Sequence, residues 1–226
     1  MHIYAIGDLH LSFSAPKPMD IFGGWDDHVS RLTDAWRARV SEDDVVLIPG
    51  DVSWAMQLID AKPDLDFIGA LPGSKILLRG NHDYWWASKA RVAAALAANM
   101  RLVQNDACIV GDYAVGGTRG WLLPGTNGFH EDDQRIFDRE LNRLSLSLAA
   151  MPEGKRRLVM LHYPPLSAQW RDTPVTALLE EARVERVLYA HLHGPAHKSA
   201  FEGEHNGVTY ELVSADYLQF TPKLIV

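Results

Sequence analysis

The sequence predicts an α/β fold built on parallel strands, and two patterns predict it. Up to about residue 100, short apolar runs of strand length alternate with stretches of helical periodicity, as in parallel strands joined by crossover helices. Several of those apolar runs also stop abruptly at Asp, Asn or His, the place where open α/β sheets gather ligand-binding groups. The chain has 226 residues, 47% hydrophobic and 23% charged, enough for a sizeable core in one domain spanning 1–226.

The elements follow in order. Ile3-Tyr4-Ala5-Ile6 reads as a first buried strand that delivers Asp8 and His10 at its end. Residues 11–24, rich in Ser, Pro and Gly, form a loop. Val29, Leu32, Trp36 and Val40 keep helical spacing, with Asp26 and Asp27 suited to the helix start. Val45-Val46-Leu47-Ile48 is a second strand, ending at Pro49-Gly50-Asp51. Trp54 to Ile59 reads as a helical turn, and Pro63 fits the first position of a helix running to about Ala70. Ile76-Leu77-Leu78 is a third strand, breaking at Gly80 into Asn81, His82 and Asp83. Ala87 to Ala98 favours helix, with Asn99 as its stop.

The second half opens with a hairpin signal, Ala107–Val110 and Tyr113–Val115 around Gly111-Asp112. Gly116 to His130 is rich in Gly and Pro and reads as a long loop with the reach of a lid. Glu131 to Ala150 is a helix with Ile136, Phe137, Leu141, Leu144 and Leu148 on one face. Leu158–Leu161 is a strand ending at His162, and Val175 to Arg183 is helical. Val187–Tyr189 is a strand ending at His191-Leu192-His193, and two strands flank Asn206-Gly207 in the tail.

Composition excludes some classes. A net charge of −7 argues against a broad basic surface gripping nucleic acid. Cys108 is the only cysteine, so no internal disulfide forms, which suits a reducing, cytoplasmic setting. No signal peptide is visible, and no stretch reaches the ~20 apolar residues of a membrane span.

Five strand ends thus carry Asp8/His10, Asp51, Asn81/His82, His162 and His191/His193. Packing explains any one of these residues. It does not explain the set, because burying that many polar groups unpaired is expensive. Carboxylate, amide and imidazole without thiolate suit divalent Mn, Fe, Zn, Co or Ni. Asp8 and His10 stand two apart, so in an extended segment their side chains share a face, and His191 and His193 repeat that spacing. Two dications at ~3.5–4 Å need an anion between them, and Asp51, alone at its strand end, is the candidate bridge.

Asp8-Leu9-His10, Gly50-Asp51, Gly80-Asn81-His82-Asp83, His162 and His191-Leu192-His193 resemble, in order, the motifs of calcineurin-like metallophosphoesterases. Trp54, Tyr84-Trp85-Trp86 and Gly117-Thr118-Arg119-Gly120-Trp121 resemble a group of small bacterial predicted phosphohydrolases in that superfamily. One departure is Ala190, where the family usually has Gly; one added methyl implies a slight backbone adjustment.

The resemblance implies a four-layer α/β/β/α sandwich of two mixed sheets with helices outside. It implies one metal on Asp8, His10, Asp51 and His193, and a second on Asp51, Asn81, His162 and His191. It places His82 beside the phosphoryl group rather than on a metal. The expected cofactors are two divalent ions, manganese first. The expected reaction is hydrolysis of a small-molecule phosphomonoester or phosphodiester by water activated at the metals. His82 would protonate or steady the leaving oxygen, with Asp83 orienting its ring. Arg119 and Trp121 are candidate substrate contacts, Arg through its planar fork. The competing readings are a catalytically silent binding module of the same fold, a nuclease, or a nucleotide-lipid pyrophosphate hydrolase.

Overall fold

The computed structural model describes Met1 to Val226. Its strands are β1 (Ile3–Ala5), β2 (Val45–Ile48), β3 (Ser74–Leu77), β4 (Met100–Leu102), β5 (Ala107–Val110), β6 (Tyr113–Thr118), β7 (Arg156–Leu161), β8 (Arg186–Tyr189), β9 (Gly203–His205), β10 (Val208–Leu212) and β11 (Lys223–Leu224). The helices are α1 (His28–Arg39), α2 (Leu58–Gly69), α3 (Lys89–Ala95), α4 (Glu131–Ala149) and α5 (Pro174–Glu181).

The strands form two sheets, ordered β11-β1-β2-β3-β4 and β5-β6-β7-β8-β10-β9. In the first sheet β1 to β4 run parallel, with β11 antiparallel at the edge. In the second, β6, β7, β8 and β10 run parallel between antiparallel β5 and β9.

Strand alternation sorts the apolar side chains into layers. Ile3, Ala5, Leu47, Ile76 and Leu78 meet Val115, Leu158, Met160 and Leu188 between the sheets. Tyr4, Val46, Ile48 and Leu77 face the other way, onto Leu32 and Trp36 of α1, Leu65 and Ile68 of α2 and Val92 of α3. Ala114, Val159, Leu161, Val187 and Tyr189 pack on Leu144 and Leu148 of α4 and Leu179 of α5. The result is the expected α/β/β/α sandwich.

Several boundaries differ from the sequence reading, each for a physical reason. Pro63 does not open a helix; α2 begins at Leu58 and Pro63 lies inside it. Its missing N–H leaves the carbonyl of Ile59 without an intrahelical partner. Helix α3 stops at Ala95, short of Asn99, whose amide instead caps the end of α2 through the carbonyl of Gly69 at 3.0 Å. Strands β4 and β11 are too short, at 3 and 2 residues, to carry a periodic signal.

Gly116 to Thr118 belong to β6, not to a loop. Those glycines serve close packing: a Cβ on Gly117 would meet the Met160 carbonyl oxygen at 1.9 Å, and one on Gly116 would meet Ser147 Oγ of α4 at 2.6 Å. The ligand-bearing strand ends also do not share one sheet edge. β1, β2 and β3 come from one sheet and β7 and β8 from the other, and their ends meet at the seam where Gly7 bridges Ser214.

Candidate metal centre

Beyond Ile6 the chain leaves the sheet but keeps a neighbour. The amides of Asp8, His10 and Leu11 donate to the carbonyls of Gly50, Asp51 and Val52 at 2.9, 3.0 and 3.0 Å. The exits of β1 and β2 therefore run side by side. Asp8 (φ 57°), His10 (φ 46°), Asp51 (φ 50°) and His191 (φ 74°) are all left-handed. Such a conformation costs a non-glycine residue about 1–3 kcal/mol. It corrects the expectation for Asp8 and His10: their spacing works through two left-handed turns and not through an extended segment. His191 and His193 also diverge, because His191 is left-handed while His193 is extended (φ −127°).

The side chains converge on two adjoining nests. In the first, His10 Nε2 lies 3.3 Å from His193 Nε2 and 3.8 Å from Asp51 Oδ2, and His193 Nε2 lies 3.7 Å from Asp8 Oδ2. In the second, His162 Nε2 lies 2.6 Å from Asn81 Oδ1 and 3.5 Å from Asp51 Oδ2, and Asn81 Oδ1 lies 2.8 Å from His191 Nδ1. Donors bound at ~2.1 Å to one ion stand roughly 3–3.5 Å apart, and these separations, from 2.6 to 3.8 Å, scatter around that range. All seven residues expected as ligands are brought together, and Asp51 Oδ2 is the atom common to both nests.

The donor chemistry fits a cation. Burial holds His162 neutral, with its pKa well below the usual histidine value, and its Nδ1 donates to the Pro49 carbonyl at 3.0 Å. Nε2 is then a bare lone pair facing the oxygen of Asn81, and two acceptors that close call for a positive charge between them. Burial likewise pushes His10 well below its usual value and His191 to about 4. Neutral imidazoles are metal-ready.

The carboxylates are poised oppositely. Burial raises Asp8 to about 6, against the pull of His193. Asp51 is raised well above its usual value, first by burial and then by Asp83 and Asp8. Ionising two buried carboxyls together is costly unless a cation neutralises them.

Two supporting acids differ from expectation. Asp83 does not orient the His82 ring. It is fully buried and accepts from the amides of Asp51, Val52 and Gly80 at 3.0, 2.9 and 2.8 Å and from the Trp85 indole at 3.0 Å. It therefore fastens the β2 and β3 exit loops together. The sequence reading missed Asp216, which accepts from His193 Nδ1 at 2.9 Å and so aims Nε2 at the centre. Asp216 follows β10, so the strand-end rule applied once more would have found it.

Glycines admit the close approach. A Cβ on Gly80 would lie 2.1 Å from Asp51 Oδ1, and one on Gly7 2.9 Å from the Ala190 methyl. The extra methyl of Ala190 thus occupies the space that Gly7 leaves open.

His82 lies at the rim, its ring 4.5 Å from Trp54 and 5.8 Å from His10. Its Nδ1 is buried without a partner, and the residue lines the cleft beside the nests. Burial, then Lys17, lowers its pKa. The cleft itself, about 400 Å³, is lined by His10, Trp25, Trp54, His82 and His193. Trp121 borders a second groove of about 520 Å³ with Tyr163 and His191. The Arg119 guanidinium lies over the Trp121 ring at 4.5 Å, its Nη2 is 3.8 Å from Glu140 Oε1, and its charge acts on Asp51.

The sequence model of the calcineurin-like phosphoesterases matches residues 1–195. No curated protein matches the sequence. Among solved structures, phosphopantetheinyl hydrolase of Mycobacterium tuberculosis superposes with a TM-score of 0.62 at 14% identity, covering 100% of this chain and 95% of that one. A protein of unknown function from Aquifex aeolicus gives 0.52 at 14% identity, covering 99% and 95%. At such identities the likeness is one of fold.

Proposed function

Because the chain belongs to the calcineurin-like phosphoesterase family, we propose that it is a metal-dependent phosphohydrolase with two divalent ions, manganese first, acting on a small phosphomonoester or phosphodiester. Asp8, His10, Asp51 and His193 would hold one ion, and Asp51, Asn81, His162 and His191 the other. The observation that carries this reading is Asp51 Oδ2, within 3.5 Å of His162 Nε2 and 3.8 Å of His10 Nε2. When bound, the ions supply the charge that acidifies water and neutralises phosphoryl oxygens.

The chain's own residues do the rest. Asp216 and the Pro49 carbonyl fix the tautomers of His193 and His162. Asp83 holds the two loops at the spacing the bridge needs. His82 Nε2 donates a hydrogen bond to the leaving oxygen; steadying it suits a ring that burial keeps neutral. Trp54 and Trp25 exclude water from one side, and Trp121 and Arg119 contact the substrate's remainder. Residues 1–226 act as one domain, since the last strand β11 pairs with the first. No helix is long and apolar enough to cross a membrane, and the lone Cys108 suits the cytoplasm.

The test joins metal analysis to a panel of p-nitrophenyl phosphate, bis-p-nitrophenyl phosphate, cyclic nucleotides and single-stranded DNA, each with manganese. Two ions per chain and turnover of a small ester are expected. Full metal loading with no ester cleaved would instead support a silent binding module.

A further inference from the structure

Beside the metal centre, where β3 and β6 leave their sheets, lies a cleft of about 310 Å³ lined by Arg79, Arg119, Arg139 and Arg143 with Asn105 and Glu140. Four guanidinium groups share it with one carboxylate, in a chain whose net charge is −7. Glu140 is buried and already engaged: it accepts from Arg143 at 2.6 Å and from Thr118 Oγ1 at 2.6 Å.

Three other acids in or near α4 are occupied as well. Asp106 pairs with Lys89, Asp133 accepts from the Trp121 indole and the His130 amide, and Asp138 accepts from Gln134. Arg79 Nε is buried and no protein group accepts its proton. The residue as a whole is half-buried and lines the cleft, and a guanidinium fork matches a tetrahedral oxyanion.

The cleft shares a wall with the centre. Arg79 directly precedes Gly80 and Asn81, and the Arg119 carbonyl accepts the amide of His162 at 3.1 Å.

We infer that this cleft is a phosphoryl-binding site distinct from the metal centre. Its ligand is a multiply charged phosphoryl group from one of two sources: a second phosphoryl of the substrate, an arm that rests on the phosphohydrolase reading, or free inorganic phosphate. The site itself is tested apart from catalysis, by following amide chemical shifts of the full-length protein during titration with inorganic phosphate. Saturable changes at Gln104, Asn105 and Thr118 are expected. Binding about tenfold weaker is expected in Arg79→Gln/Arg139→Gln, the loss of a charge-assisted hydrogen bond. Arg139→Gln alone, on the exposed side of α4, gives the same direction of change in a variant whose spectrum is otherwise unaltered. No saturable change in the cleft, or variants that bind as the parent does, overturns the site.

Kinetics of the manganese-loaded enzyme separate the sources. If the substrate supplies the ligand, fructose 1,6-bisphosphate has a lower KM than fructose 6-phosphate. Arg139→Gln then raises the bisphosphate KM alone and leaves p-nitrophenyl phosphate turnover unchanged. If free phosphate is the ligand, the two sugars share one KM, and phosphate, beyond the competitive product inhibition that both proteins show, changes kcat for p-nitrophenyl phosphate in the parent but not in Arg139→Gln. Phosphate-induced shifts in the cleft with no ester cleaved would refute the phosphohydrolase reading and keep the site.

Discussion

Asp51 is the residue on which both nests depend. On the proposed two-ion reading, Asp51→Asn removes the anion between them, so metal content and turnover should fall together, read by elemental analysis beside a phosphoester assay. Full metal occupancy in that variant would end the bridging role. His82 reaches the nests only through its backbone amide, which donates to Asp51 Oδ1 at 2.8 Å, so removing its side chain should separate binding from chemistry. His82→Ala is expected to retain its metals while losing roughly 10²–10⁴ in kcat. Unaltered kcat would remove His82 from the reaction.

At the scale of the element, the centre is built from loops that could not approach if their glycines carried side chains. Gly80→Ala would press a methyl within 2.1 Å of the Asp51 carboxylate. The variant should fold, because the strands behind it are untouched, but bind metal weakly. Gly7 and Ala190 form a coupled pair across the seam between sheets. Gly7→Ala should destabilise by about 1–3 kcal/mol through overpacking, and Ala190→Gly in the same chain should recover part of that loss, measured as a double-mutant cycle in urea. Strict additivity would show that the two residues do not compete for one space. Helix α2 offers a converse case. Pro63 interrupts its hydrogen bonds, so Pro63→Ala should raise stability by about 1 kcal/mol, since the helical gain exceeds the entropy that proline removes from the unfolded chain.

At the scale of the molecule, the buried carboxylates link metal binding to pH. Burial raises Asp8 from 3.8 to about 6. Below that pH the folded protein holds a proton where a cation would sit, so metal affinity falls as pH drops through 6. In the metal-free chain the sign runs the other way. A carboxyl whose folded pKa is raised contributes its stability below the unfolded value of 3.8 and loses it as pH climbs through about 6. The manganese-induced rise in Tm should therefore be large at pH 7.5 and small at pH 5. A rise independent of pH would show that Asp8 does not exchange a proton for the metal.

The sequence by itself determined the α/β class, the strands that carry the centre, and the identity of the converging residues. Apolar runs that stop at Asp, Asn or His are local facts, legible without knowing where the chain goes next. Only the tertiary structure decided that the ligands arrive from two sheets, that Asp83 ties loops together instead of aiming His82, and that Asp216 aims His193. It also placed Gly116 and Gly117 inside a strand, where neighbouring backbone and α4 leave no room for a side chain. Each of these depends on what lies opposite in space, and strand and helix periodicity report only which way a residue faces.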